Sequence, residues 1–225
     1  MRKIAIAVYC VVLAVTLYAG DVASFVNLGF SADGGAFAFG QYGVTDGDFR
    51  AYADVFCVDV AKNDFFPGGK FSDPPPSTAD KDGKTAFGTL QDSSAGFIKK
   101  VGIDPANQGR ALYVQAEDEP KLRKIEFRDF ETGRAYSVVT HTLSEGSGKS
   151  VKSSFYLIVE VTGTDGKSAR YTVGLPGLKR KGVSDYLVRR IITDGSGKSL
   201  VFVVEKEQAD RNGASIRFMV EALRL

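Results

Sequence analysis

The stretch SLVFVVE, residues 199–205, decides how this chain folds. It is built of β-branched, aliphatic and aromatic residues, and it is apolar at odd and even positions alike. A strand with one face in water alternates apolar and polar residues, because successive side chains point to opposite faces. A strand apolar on both faces is covered on both, so this run is expected at the centre of the fold. Turn chemistry brackets it. Asp194-Gly195-Ser196-Gly197 precedes it and Arg211-Asn212-Gly213 follows, each supplying residues that tolerate positive φ.

The same grammar recurs along the chain. Ala32-Asp33-Gly34-Gly35, Glu131-Thr132-Gly133 and Thr164-Asp165-Gly166 separate runs that read as strands. These runs are RAYADVFCVDV (50–60), RALYVQA (110–116), KIEFRDF (124–130), RAYSVVTHT (134–142), SSFYLIVEV (153–161), ARYTVG (169–174) and SIRFMVEAL (215–223). The exception is KTAFGTLQDSSAGFIKKVGI, where Phe87, Leu90, Phe97, Ile98 and Val101 fall at helical spacing. Residues 85–101 are therefore expected as a helical insertion of one or two short helices. Residues 61–84, rich in Pro and Gly, read as a long loop. The segment 188–223 repeats the plan of the first hairpin, and 123–161 repeats it loosely, giving about three blade-like units. The fold expected is mostly β: antiparallel hairpins in a two-sheet or partly closed, blade-like architecture. A small β-propeller is the alternative, although propellers carry four to eight blades.

Residues 1–20 stand apart. Arg2 and Lys3 precede the apolar run IAIAVYCVVLAVTL and the small residues at YAG, the pattern of a secretory signal peptide cleaved near Ala19 or Gly20. The run is shorter than the roughly 20 residues of a membrane span, so no retained transmembrane helix is expected. Residues 21–225 form a single β-rich domain. The chain carries 29 basic and 27 acidic residues, and losing Arg2 and Lys3 leaves the remainder balanced. That balance argues against a nucleic-acid partner. Cys57 is the one cysteine after cleavage, which excludes an internal disulfide and a cysteine metal cluster.

Four blocks carry a resemblance. FVNLGFSADGGAFAFGQYG, YADVFCVDVAKNDFFPGGKF, GIDPANQGRALY and the terminal IRFMVEALRL resemble an uncharacterised family of predicted secreted proteins known mainly from spirochaetes. The resemblance covers nearly the whole mature chain and implies export; it brings no assigned function or catalytic residues. FSADGGAFAF alone also resembles the repeat of Tol-type periplasmic β-propellers.

Candidate chemistry is sparse. His141, the single histidine, shares a strand face with Ser137 and Val139, a poor basis for a nucleophile relay, so it reads as structural. Cys57 lies among apolar residues and reads as a buried thiol rather than a reactive one. Asp80 and Asp82 in TADKDGKT have the Asp-x-Asp-Gly core of a calcium loop. However, Thr78 and Thr89 stand where the first acid and the bidentate Glu belong, so the plain reading is a solvated turn. Asp46 and Asp48 are the other paired carboxylates. Lys179, Arg180, Lys181, Arg189 and Arg190 form a candidate anion-binding patch, against the plain reading of an exposed loop and strand end. The GSGKS runs at 146–150 and 195–199 lack phosphate-loop spacing and sit in expected turns.

The sequence thus points to an exported binding or structural module of the cell envelope, without cofactor. Its expected partner is another envelope or secreted protein. The alternatives are a carboxylate-based envelope hydrolase and an outer-membrane β-barrel. The charge on both faces of KIEFRDF fits barrel alternation poorly.

Overall fold

Residues 199–205 lie in the middle layer of three stacked antiparallel sheets. The computed structural model describes residues 21–73, 78–116, 119–209 and 213–225; the expected signal peptide lies outside them. Sheet I contains β1 (Ser24–Ser31), β2 (Ala36–Val44), β3 (Ala51–Asp59) and β4 (Asp64–Asp73). A helix, α1 (Gly83–Lys100), leads to β5 (Ile103–Asp104), which pairs with β1. After β6 (Arg110–Val114), sheet II runs through β7 (Lys124–Arg128), β8 (Ala135–Glu145), β9 (Lys152–Thr162) and β10 (Ser168–Gly174), with the short β11 (Arg180–Lys181) on β9. Sheet III is β12 (Val183–Thr193), β13 (Ser199–Ala209) and β14 (Ala214–Arg224), with β6 paired to β12.

Alternation along β13 explains the stacking. Leu200, Phe202 and Val204 join Tyr186 and Ile191 against Val138, Phe155 and Leu157 of sheet II. Val201 and Val203, on the other face, join Ile192, Val220 and Ala222 against Phe30, Phe37 and Phe39 of sheet I. A sheet apolar on both faces needs a cover on each side, so the architecture has three sheets where two were expected. The three blade-like units fall one to a sheet. Among the described residues the sheets remain open and form no closed barrel, which removes the outer-membrane barrel as an architecture. No helix of the described residues is long and apolar enough to cross a membrane.

Helix α1 covers the far face of sheet I. Asp82 caps it, Oδ1 accepting from the Thr85 amide at 2.8 Å, and Lys99 and Lys100 stand in its last turn, where the helix dipole favours cations. Ala86, Phe87, Leu90 and Ile98 bury one stripe on Ala38, Val55 and Cys57. Gly40 permits this approach, because a Cβ there would stand 2.2 Å from the Phe87 ring. The expected one or two short helices are a single helix of 18 residues. Gly88 and Gly96 cost it propensity but fill no steric need, since an added Cβ meets nothing within 4 Å at either position. Gly88→Ala and Gly96→Ala should each stabilise the protein by about 0.5–1 kcal/mol in denaturant unfolding.

The expected loop at 61–84 is corrected, because ten of its residues form β4. As an edge strand β4 tolerates Pro67. Its pairing with β3 shifts register between Phe56 and Val58, and Gly68 takes a φ of 74° opposite that irregularity. The Pro and Gly that read as loop thus mark a bulged edge.

Three hairpin turns, one from each sheet, are tied together. Asp194 accepts from the amides of Ser196, Lys198 and Ser199 at 3.2, 2.9 and 2.7 Å. Ser199 Oγ donates to Gly34 O at 2.7 Å, joining the sheet III turn to that of sheet I. Arg134 Nη1 donates to Gly197 O at 2.6 Å, joining the sheet II turn as well. The second GSGKS run is therefore an aspartate-headed turn whose amides already have an anion.

Candidate functional site

A cleft of about 480 Å³ opens where the three sheets meet. Asn63, Phe65 and Lys70 reach it from the β3–β4 hairpin, Leu175, Leu178 and Arg180 from the segment after β10, and Met219 and Glu221 from β14. β14 is an edge strand, and its free amides would invite further pairing. Sheet I covers them. Gln41 Oε1 accepts from the Phe218 amide at 2.7 Å, and Asn63 Oδ1 accepts from the Ala222 amide at 2.6 Å. Asn63 holds a φ of 50°, a conformation asparagine tolerates well, and its Nδ2 donates to Glu221 Oε2 at 2.5 Å.

Charge has been taken into this junction. Glu221 is buried, and burial raises its carboxyl above the usual range, while the Asn63 hydrogen bond and the Arg180 charge pull it back only in part. Lys206 on β13 is pushed down to about 8, first by burial and then by Arg180, with Asp54 opposing and Arg217 adding to the depression. Arg217 is neutralised, donating to both Asp21 oxygens at 2.5 and 2.9 Å, and it lies 4.0 Å over the Tyr52 ring. Arg180 is different. Its guanidinium sits 5.7 Å from the Phe155 ring centre and 5.9 Å from that of Tyr186. Among the described residues it makes no ion pair, and its Nη1 is buried without a hydrogen-bond partner.

The raised Glu221 carboxyl gives a signed expectation. Stability from a group whose folded pKa is raised is fully present below its unfolded value, near 4.5, and is lost as pH rises through the folded value. Glutamine stays neutral and can still accept from Asn63. The Tm of Glu221→Gln relative to wild type should therefore rise from pH 4 to pH 8 in paired thermal melts.

The mouth of the cleft is apolar. Leu175 and Leu178 are 61 % and 46 % exposed, and Leu143, 52 % exposed on β8, belongs to the same corner. Leu143 pairs with Ser154 on β9, and Ser154 Oγ donates to Pro176 O at 2.6 Å, which ties the 175–178 turn to the end of sheet II.

The five residues of the candidate anion patch are divided. Arg180 enters the cleft, and Lys179 is held by Glu145 at 2.6 Å on the surface. Lys181, exposed beside Arg180 on β11, pairs with Lys152 of β9 in the ladder. Arg189 and Arg190 line a second cleft between residues 22–25 and β6, where Arg189 pairs with Glu205 at 2.6 Å. Asp82 spends its carboxylate on the helix cap, while Asp80 is exposed. Among the described residues no three His, Cys, Asp or Glu side chains gather to hold an ion. Asp48 accepts from Thr45 within its own turn. His141 stacks on Tyr156 on the outer face of sheet II, ring centres 4.7 Å apart. Cys57 is buried, its thiol pushed up to about 11.

Sequence reasoning passed over Glu221, Asn63, Lys206 and the Asp21–Arg217 pair. A signal existed for three of them: Lys206, Arg217 and Glu221 are charges within or just beyond otherwise apolar strand runs, where water-facing alternation does not place them.

Residues 38–224 match the family described as "Predicted secreted protein (DUF2259)". No curated protein and no solved structure matches the chain.

Proposed function

This chain belongs to that family of predicted secreted proteins, and on that premise we propose that it is an exported binding module of the cell envelope. Its partner is another envelope or secreted protein, and residues 1–20 serve as the cleaved signal. The observation that carries this reading is the corner at the three-sheet junction. There Leu175 and Leu178 stand exposed on a cleft lined by charged residues, and Leu143 is exposed at the adjoining end of sheet II. Exposed apolar side chains gathered in one patch mark protein interaction sites.

The test is Leu175→Ser/Leu178→Ser. Both side chains are exposed, so the double variant should melt within about 1 kcal/mol of wild type. Its crosslinked complex in intact cells should weaken at least tenfold, the scale of an interface hot spot. A complex of wild-type strength in that variant overturns the reading.

One observation favours a second reading, a carboxylate hydrolase. Glu221 has the raised carboxyl a general acid needs, and Asp64 lines the same cleft. Under that reading Glu221→Gln abolishes turnover of an envelope polysaccharide and spares the complex.

A further inference from the structure

We propose that the junction cleft receives a carboxylate of the partner on Arg180, flanked by an apolar residue that packs on Leu175 and Leu178. This inference rests on the binding reading above and names the chemistry of the segment that docks.

Arginine withdrawn from water is normally satisfied by a carboxylate or by several acceptors, because an unmet guanidinium donor costs free energy. Three other arginines near the sheet junctions have a carboxylate: Arg110 has Asp129 and Glu131, Arg189 has Glu205, and Arg217 has Asp21. The Arg180 guanidinium is held over two aromatic rings and lines an open cleft, yet among the described residues it makes no ion pair and its buried Nη1 has no hydrogen-bond partner.

Neither acid that lines the cleft, Glu221 or Asp64, forms an ion pair with it. Glu221 is engaged by Asn63, and burial favours its neutral form. Asp64 accepts from the Phe65 amide at 2.7 Å. Lys62 is taken by Asp59 at 2.6 Å, and Lys70 lies 4.2 Å over the Phe65 ring at the same cleft. Among the described residues the cleft therefore offers one guanidinium without an ion pair, a second cation near it and an apolar lip. A planar carboxylate matches the guanidinium fork, and an aliphatic neighbour matches the lip.

The probes are hexanoate, hexan-1-ol and hexylammonium, which share a tail and differ in head group, titrated into the exported protein and followed by amide NMR. Hexanoate should move the signals of Leu175, Leu178 and Glu221 saturably at millimolar concentration. The alcohol and the amine should need at least tenfold more. Arg180→Gln should weaken hexanoate at least tenfold; should that variant melt early, Arg180→Lys, which keeps the charge, must retain selectivity for the acid over the alcohol. Equal binding of acid and alcohol, or hexanoate shifts confined to the Arg190 cleft, overturns the inference.

Failure of the two readings is distinguishable. A leucine-dependent complex with no preference for the acid removes the carboxylate and leaves the binding module. A hexanoate site with a wild-type complex in the leucine double variant removes the protein partner and leaves the anion site.

Discussion

Phe202→Ala should cost about 3–5 kcal/mol, the usual range for deleting a buried phenylalanine, and Val203→Asp should leave the chain unfolded at 25 °C. The two residues are consecutive on β13 and both are fully buried, Phe202 toward sheet II and Val203 toward sheet I. In a two-layer sandwich one of them would face water, and the charge at that position would cost little. Here an aspartate at 203 enters an apolar interface with no partner, a penalty of several kcal/mol. A domain of this size has about 5–15 kcal/mol in all. Denaturant unfolding reads the first substitution, and the soluble, structured fraction reads the second. A Val203→Asp protein with the wild-type midpoint would contradict the middle position of sheet III.

Asp129→Ala should cost about 3 kcal/mol at pH 7, through electrostatics rather than apolar packing. Asp129 is 2 % exposed at the β7–β8 turn. Arg110 grips it from β6 with contacts of 2.8 and 3.1 Å, Thr132 Oγ1 donates at 2.6 Å and the Glu131 amide at 3.1 Å. Removing the carboxylate leaves these donors without their acceptor, and breaking a fully buried pair costs about 3–5 kcal/mol. Arg110 keeps Glu131 and some access to water, which places the expectation at the lower end. Burial pushes the Asp129 carboxyl up, but the hydrogen bonds from Arg110, Thr132 and Glu131 outweigh it and hold it at about 2. A depressed folded pKa gives stability that is present above the unfolded value near 3.8 and lost as pH falls through about 2. The wild-type and Asp129→Ala stability curves should therefore converge as pH approaches 2. Curves within 1 kcal/mol of each other at pH 7 would contradict the role assigned to this turn.

Sheet content and hairpin order were legible because they are local. Asp33-Gly34-Gly35, Thr132-Gly133 and Asp194-Gly195 name their own turns, and the absence of alternation in residues 199–205 revealed a doubly covered strand. The number of sheets was less legible, since a strand states that both faces are covered but not by what. β4 was missed because Pro67, Gly68 and Gly69 look the same in a loop and in a bulged edge strand. The candidate site was the least legible part. Arg180 was picked out by its basic neighbours, yet Lys179 and Lys181 remain at the surface, and Arg189 and Arg190 serve another cleft. The residues that share its cleft include Asn63 and Glu221, which are 158 residues apart in sequence. Register and sheet packing brought them together, and neither can be read from spacing.

A photocrosslinking scan in intact cells tests whether the three-sheet junction is the working surface. A photoreactive residue is placed in turn at Leu143, Leu175 and Leu178 on the corner, and at Arg170 and Glu126 on the exposed outer face of sheet II. One discrete adduct is expected from the three leucine positions and none from the other two. Adducts from Arg170 or Glu126 with a silent corner would contradict it.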